Sequence, residues 1–294
     1  MIPRGTVIAA LLVVELAILG EVVVAMRGSQ SAQHLGGRAA SGPYLVEGGP
    51  QKMFTVGAHP ALTVDIGYAD LTIIAGKIAR IEVSVIPSTA YGNFGATAPI
   101  AVRADGETIR IAKASEPWWC VGDDRMVTVM VPPDTQVSVL RAGDIKAEGL
   151  HADASLNSVG RGSVTVENYD APALHASATG RIVLHQIVAA RLDATSSDGH
   201  VEGTALRVRD GSVESGGRVT LGFATGSDTL VTAATSHGKV RVSGLTAGES
   251  GAIERRSSDD DDAELPSQTV RVGAGTGRLD VHSSDGNINL FQES

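Results

Sequence analysis

One phrase recurs through the C-terminal half of this chain and limits what it can fold into. It runs as a few alternating apolar and polar residues, a tight turn, a glycine, one polar residue, and alternation again. Clear copies are Val137-Ser-Val-Leu-Arg-Ala-Gly143, Leu174-His-Ala-Ser-Ala-Thr-Gly180, Leu192-Asp-Ala-Thr-Ser-Ser-Asp-Gly199 and Leu279-Asp-Val-His-Ser-Ser-Asp-Gly286. The marker glycines Gly143, Gly162, Gly180, Gly199, Gly217 and Gly238 are spaced by 19, 18, 19, 18 and 21 residues. A nearly constant period of this size is the signature of a solenoid. Period-two alternation makes each segment a strand with one buried face. A single coil cannot bury its own apolar face, so coils must stack. An antiparallel meander also alternates and turns on glycine, but two strands per even period favour the solenoid.

The expected fold class is therefore all-β, a β-solenoid (β-helix-like) of stacked short strands. Ile145, Val164, Ile182, Val201, Val219, Val240 and Ile288 are expected on one inward ladder. The turn glycine is expected to supply either φ > 0 or close approach between coils, and Ser-Asp-Gly at 197–199 and 284–286 is strong turn chemistry. Gly238 to Gly277 is 277 − 238 = 39 residues, about two periods. Residues 247–268 break the rhythm there. With Asp259–Asp262 at their centre they read as a disordered acidic insertion ejected from one coil. Consecutive aspartates lack the alternate spacing and turn glycine of a calcium loop.

Composition agrees with a narrow, repetitive interior. Hydrophobic residues make up 43% of the chain but aromatics only 3%, so the core must be built of small β-branched side chains. The balance of 24 basic to 33 acidic residues, net −9, with no Lys/Arg cluster, argues against nucleic acid as a partner. The single cysteine, Cys120, excludes an internal disulfide framework and any multi-cysteine metal site.

The N-terminus carries a different signal. Thr6 to Met26 is an almost unbroken apolar run of 21 residues, interrupted by Glu15 and Glu21. As a helix it would be about 31 Å long, close to one hydrocarbon core. Residues 1–27 are expected to be a transmembrane or signal-anchor segment, 28–50 a flexible stalk, and 51–294 the β-strand-repeat domain. The domain would lie outside the cytoplasm at a bacterial cell membrane. Cleavage after Val23-Val24-Ala25 would make it secreted instead.

Residues 55–136 alternate less regularly. Leu62-Thr-Val-Asp-Ile-Gly67 and Leu71-Thr-Ile are strand, turn and strand; Met126-Val-Thr-Val-Met-Val131 is stopped by Pro132-Pro133. A strand–Gly–strand opening, the Val-Pro-Pro-Asp stop at 131–134, Gly-Asp-Ile at 143–145 and the terminal Ser-Asp-Gly-Asn-Ile-Asn-Leu follow in order. In this order of motifs the chain resembles the bacterial β-strand-repeat putative adhesins, a family of unassigned function, over about residues 55–294. The resemblance implies an envelope-associated β-solenoid with no assigned catalytic residues.

Few residues are left over for chemistry. Trp118 and Trp119 sit beside Cys120 in the loop Glu116–Asp124. They are the candidate partner-binding pair, against the plainer reading of a loop that covers the open end of the stack. The histidines His151, His175, His185, His200, His237 and His282 fall at different phases of the repeat and form no metal-spacing pair. Asp144, Asp193 and Asp280 recur near the phrase, as alternating polar faces require. No catalytic, cofactor-binding or metal residue is assigned. The expected function is non-enzymatic: an envelope-anchored protein presenting an interaction surface to an unidentified protein or glycan. A carbohydrate-active β-helix enzyme with acids grouped in a groove, and a self-assembling envelope scaffold, are the alternatives.

Overall fold

Alternation dictates the elements, and β-branched residues at every second position hold them extended. The computed structural model describes residues 44–45, 51–86, 100–113, 125–245 and 267–293. The segment 1–27, most of 28–50, the Trp118-Trp119 loop and the acidic insertion up to residue 266 lie outside the described residues. Residues 43–294 belong to one compact unit. Among the described residues there is no helix, and so none long and apolar enough to cross a membrane.

The strands, in chain order, begin with β1 (Tyr44–Leu45), β2 (Lys52–Thr55), β3 (Ala61–Asp65), β4 (Asp70–Ala75), β5 (Arg80–Ile86), β6 (Ile100–Asp105) and β7 (Thr108–Lys113). The middle of the chain gives β8 (Met126–Val131), β9 (Gln136–Ala142), β10 (Ile145–Glu148), β11 (Ala154–Ser158), β12 (Val164–Ala178), β13 (Ile182–Ser196) and β14 (Val201–Ser215). The last are β15 (Val219–Phe223), β16 (Thr229–Thr235), β17 (Val240–Ser243), β18 (Ser267–Val272), β19 (Gly277–Ser283) and β20 (Ile288–Gln292).

They form two parallel ladders that share a core. The first runs β8, β4, β10, the first halves of β12, β13 and β14, then β15, β20 and β17. The second runs β7, β3, β9, β11, the second halves of β12, β13 and β14, then β19 and β16. Each long strand turns from one ladder to the other at a left-handed residue: Asn168, Gln186 and Ala205, with φ of 54°, 55° and 53°. These corners stack at the coil period. Asn accepts this conformation readily, whereas Gln and Ala take it at a cost of about 1–2 kcal/mol each.

The inward ladder expected from the sequence is present. Ile145, Val164, Ile182, Val201, Val219, Ile288 and Val240 are successive register partners. All but Val240, on the outermost strand, are buried.

The order of the coils in that ladder is not their order in the chain. The last coil, β19–β20, does not lie at the end: β19 sits between β14 and β16, and β20 between β15 and β17. The first coil, β3–β4, is likewise held between β7–β8 and β9–β10. The physical reason is pairing. β16 and β17 lie one coil away from β14 and β15, and the backbone groups facing that gap would be buried without partners unless a strand filled it.

The reading of Gly238 to Gly277 as two periods of the parallel stack is corrected. The register partner of Gly238 is Gly286, and β18 pairs antiparallel with β16 rather than entering the parallel stack. β18 and β19 flank β16, so residues 273–276 cross over its start with Gly273 and Gly275 at positive φ. Asp228 holds that crossing, accepting the Thr276 N–H at 3.0 Å and its hydroxyl at 2.6 Å.

At the N-terminal end of the stack, antiparallel strands cover the parallel ladders. β5 pairs antiparallel with β8 and β2 with β5; β6 pairs antiparallel with β7 and β1 with β6. Reversed strands of this kind keep the parallel edge from recruiting another chain.

Candidate functional site

The marker glycines make one continuous line down the edge where the second ladder turns into the first. An added Cβ at Gly162, Gly180, Gly199 or Gly217 would sit 2.3–2.8 Å from the carbonyl oxygen of the preceding marker glycine. At Gly238 it would sit 2.2 Å from the Gly286 oxygen. None of these glycines has positive φ, so close approach and not backbone conformation excludes a side chain. Buried hydroxyls satisfy the glycine carbonyls. Ser158 donates to Gly143 at 2.6 Å, Ser196 to Gly180 at 2.6 Å, Ser215 to Gly199 at 3.0 Å, Ser283 to Gly217 at 2.7 Å and Thr235 to Gly286 at 2.9 Å.

A line without side chains leaves a trough. Near the C-terminal end it widens into an open groove of about 540 Å³ over Gly199, Gly217 and Gly286. Its walls are the residues just before and just after each glycine: Asp198 and His200, Arg218, Asp285 and Asn287, and His237 from the coil beyond. His237 Nδ1 lies 3.4 Å from Asp285, and His200 Nε2 lies 3.7 Å from Glu202. Asn287 Oδ1 accepts the Lys239 N–H at 2.9 Å, which turns the side-chain amide of Asn287 into a fixed part of the wall. The groove exists only because β19–β20 is inserted, since Asp285 and Asn287 fill the place between Arg218 and His237.

The outer face of the second ladder carries the other cluster of charge. Ser155, His175, Asp193, Ser212, Asp280 and Thr232 are register neighbours across it. Arg191 donates to Asp193 at 2.7 Å, Arg209 to Asp210 at 2.7 Å and Arg278 to Asp280 at 3.1 Å. Burial pushes the Asp193 carboxyl up, but its bond to Arg191, with a further one from Ser212, outweighs this and holds it below the usual range. Asp210 is held low by Arg209 and by the Arg278 N–H. Both stay ionised as acceptors. The chemistry of glycoside cleavage asks instead for a carboxyl whose proton is held up near neutral pH.

Of the residues singled out in the sequence, Trp118, Trp119 and Cys120 lie outside the described residues, in the segment joining β7 to β8. Asp144 is structural: one carboxylate oxygen accepts both the N–H and the hydroxyl of Ser163, at 2.7 and 2.9 Å. Asp193 and Asp280 are two coils apart with Ser212 between them. His175 stands beside Asp193, and His185 bonds Thr204 at 2.7 Å. His200 and His237 meet at the groove although their sequence phases differ. The inserted last coil, with Asp285 and Asn287, lies between the coil of Arg218 and that of His237. Among the described residues no three His, Cys, Asp or Glu side chains are grouped as metal ligands would be.

Comparison with known proteins places the fold. The family model described as Toastrack DUF4097 matches residues 59–293. The chain belongs to this family. Similar solved structures include a putative adhesin from Bacteroides fragilis at 14% identity, with 83% of this chain and 96% of that chain covered and a TM-score of 0.47. A putative adhesin from Parabacteroides distasonis shows 15% identity over 82% and 96%, with a TM-score of 0.43. A protein from the same species titled as a putative lipid binding protein shows 9% identity over 83% and 96%, with a TM-score of 0.40. No curated protein matches the chain. The Toastrack stack thus has nine parallel strands in each ladder among the described residues, with the glycine line as one edge.

Proposed function

We propose that this Toastrack protein is a non-catalytic binding module of the bacterial cell envelope. Residues 1–27 hold it at the membrane as a single-pass anchor, 28–50 act as the stalk, and the repeat domain presents a rigid polar surface outside the cytoplasm. If 1–25 are cleaved, the same module is secreted. The observation that carries this reading is the bonding of the carboxylates on the outer face. Asp193 accepts from Arg191 and Ser212, and Asp210 from Arg209 and the Arg278 N–H, so their oxygens are tied into fixed hydrogen bonds, which suits recognition better than proton transfer. A surface built this way binds by shape and hydrogen bonds and turns nothing over. The partner class is an envelope or extracellular component, protein or glycan, and Trp118-Trp119 are proposed as an anchor for it.

The test is binding of the purified full chain to bacterial cell-wall and membrane fractions, with hydrolysis products assayed in parallel. Saturable binding without product is expected. Replacing Trp118 and Trp119 together by Ala should weaken binding more than it lowers the melting temperature. Glycan cleavage abolished by a single Asp or Glu substitution that leaves folding intact would replace this reading with an enzyme.

A further inference from the structure

We infer that the groove over Gly199, Gly217 and Gly286 is a binding site for an uncharged, linear polyhydroxylated chain, an extended glycan lying along the stack. This deepens the binding-module reading and rests on it, by naming a site and a ligand class.

Three observations carry it. First, the groove has built walls and not merely a bare floor. Each coil contributes the residues flanking its glycine: Asp198 and His200, then Arg218, then Asp285 and Asn287, then His237. Carboxylates stand before Gly199 and Gly286, at Asp198 and Asp285, while His200, Arg218 and Asn287 follow Gly199, Gly217 and Gly286, so the side after the glycines repeats at every coil, about 4.8 Å apart. A linear polymer aligned with the stack meets a fresh set of partners at each step, whereas a compact ligand would use only one. Second, the charges oppose each other. Arg218 stands on the coil between those of Asp198 and Asp285, with Glu202 4.0 Å from its guanidinium, and Lys239 follows two coils beyond it. A polyanion would be carried past both carboxylates and a polycation past Arg218, so either meets repulsion as well as attraction. Hydroxyl groups donate to carboxylates and accept from guanidinium and amide, and use both walls at once. Third, the lining has no apolar side chain: it is Asp, Gly, His, Arg and Asn throughout. Peptide recognition draws its energy from buried aromatic and aliphatic anchors, and there is nothing here to receive them.

The walls are also held in place. Asn287 is fixed by the Lys239 N–H, and Asp285 stands 3.4 Å from His237. The glycine carbonyls beneath are already bonded to Ser215, Ser283 and Thr235, so the floor presents no competing acceptor that must be desolvated.

The experiment is titration calorimetry of the full chain with neutral tetrasaccharides of β-linked glucose, mannose and N-acetylglucosamine. The matching disaccharides, tetragalacturonate as a polyanion and a tetrapeptide are the comparisons. At least one neutral tetrasaccharide should bind, and tighter than its disaccharide, because it spans more coils. Arg218→Ala and Asn287→Ala should each weaken that binding about five-fold, the worth of a lost hydrogen bond or two. Arg209→Ala, on the outer face of the second ladder, should leave it unchanged. Melting temperatures of all three variants separate loss of contact from loss of fold, and His200→Ala serves in place of either groove variant that melts early. Failure of all three neutral tetrasaccharides, tighter binding of tetragalacturonate or of the tetrapeptide, or indifference to every groove substitution would overturn the site. If cell-wall binding persists while these titrations fail, the groove assignment falls and the binding-module reading stands.

Discussion

Placing one carboxylate inside the valine–isoleucine ladder tests the register of the whole stack. Val201 is fully buried and paired with Ile182 on one side and Val219 on the other, in the middle of the coils. Val201→Asp first removes the burial of a valine, worth about 1.5–3 kcal/mol. It then leaves a neutral carboxyl without a partner, at about 1–3 kcal/mol. An ionised carboxylate there would cost more than protonation, so the group takes a proton. At pH 7 that costs about 4 kcal/mol, given an unfolded value near 3.9 and 1.36 kcal/mol per pH unit. The sum, about 7–10 kcal/mol, rivals the whole stability of an ordinary domain. The sign with pH follows from the raised folded value: the ionisation part is fully present above that value and vanishes below the unfolded one. Destabilisation should therefore shrink by about 4 kcal/mol between pH 7 and pH 4. Urea unfolding of residues 43–294 at both pH values, followed by circular dichroism, measures both effects, and Val201→Ala gives a folded reference at about 2 kcal/mol. His200→Asp, one residue away on the groove wall, should change stability by no more than about 0.5 kcal/mol. Equal losses at 200 and 201, or a Val201→Asp penalty that ignores pH, would refute the assigned register.

Gly199→Ala should destabilise by about 1–3 kcal/mol, because its Cβ would lie 2.3 Å from the Gly180 carbonyl, whereas Gly76→Ala, with nothing within 4 Å, should be neutral or slightly stabilising in the same melts. The Asp228 carboxyl is held below its ordinary value of 3.8, first by the Thr276 hydroxyl and then by backbone N–H groups. Its contribution is present above that pH and lost as pH falls through the folded value, so Asp228→Asn should flatten the acid limb of a stability profile. Deleting residues 249–264 should leave the melting temperature nearly unchanged, since β17 and β18 keep their partners β20 and β16; a large fall would mean that the insertion supports the stack. Circular dichroism of residues 43–294 should show strand with almost no helix, and substantial helical signal would contradict the stack.

Much of the architecture is legible in the sequence because it depends on nearest neighbours. Alternation at period two sets which face of each strand is buried, and the glycine period sets which residues meet on adjacent coils. Hence Ile145, Val164, Ile182, Val201 and Val219 fall on one ladder in chain order. The need for glycine at 162, 180, 199 and 217 was equally local, though its cause was ambiguous: sequence admits positive φ or close approach, and the 2.3–2.8 Å approach to the next carbonyl decided it. What the sequence left open was the order of the coils at either end. A repeat phrase matches any other copy of itself, so nothing in Ser-Asp-Gly286 says that it packs between Gly217 and Gly238 rather than beyond them. That was decided by the chain's path, which sets β16–β17 one coil away from β14–β15 and leaves unpaired backbone on both sides of the gap. Only a returning strand pair satisfies it. The groove inherits this dependence. Arg218, His237 and Asn287 are separated by 19 and 50 residues in the sequence, and Asn287 comes to lie between the coils of the other two only when the last coil is inserted into the stack.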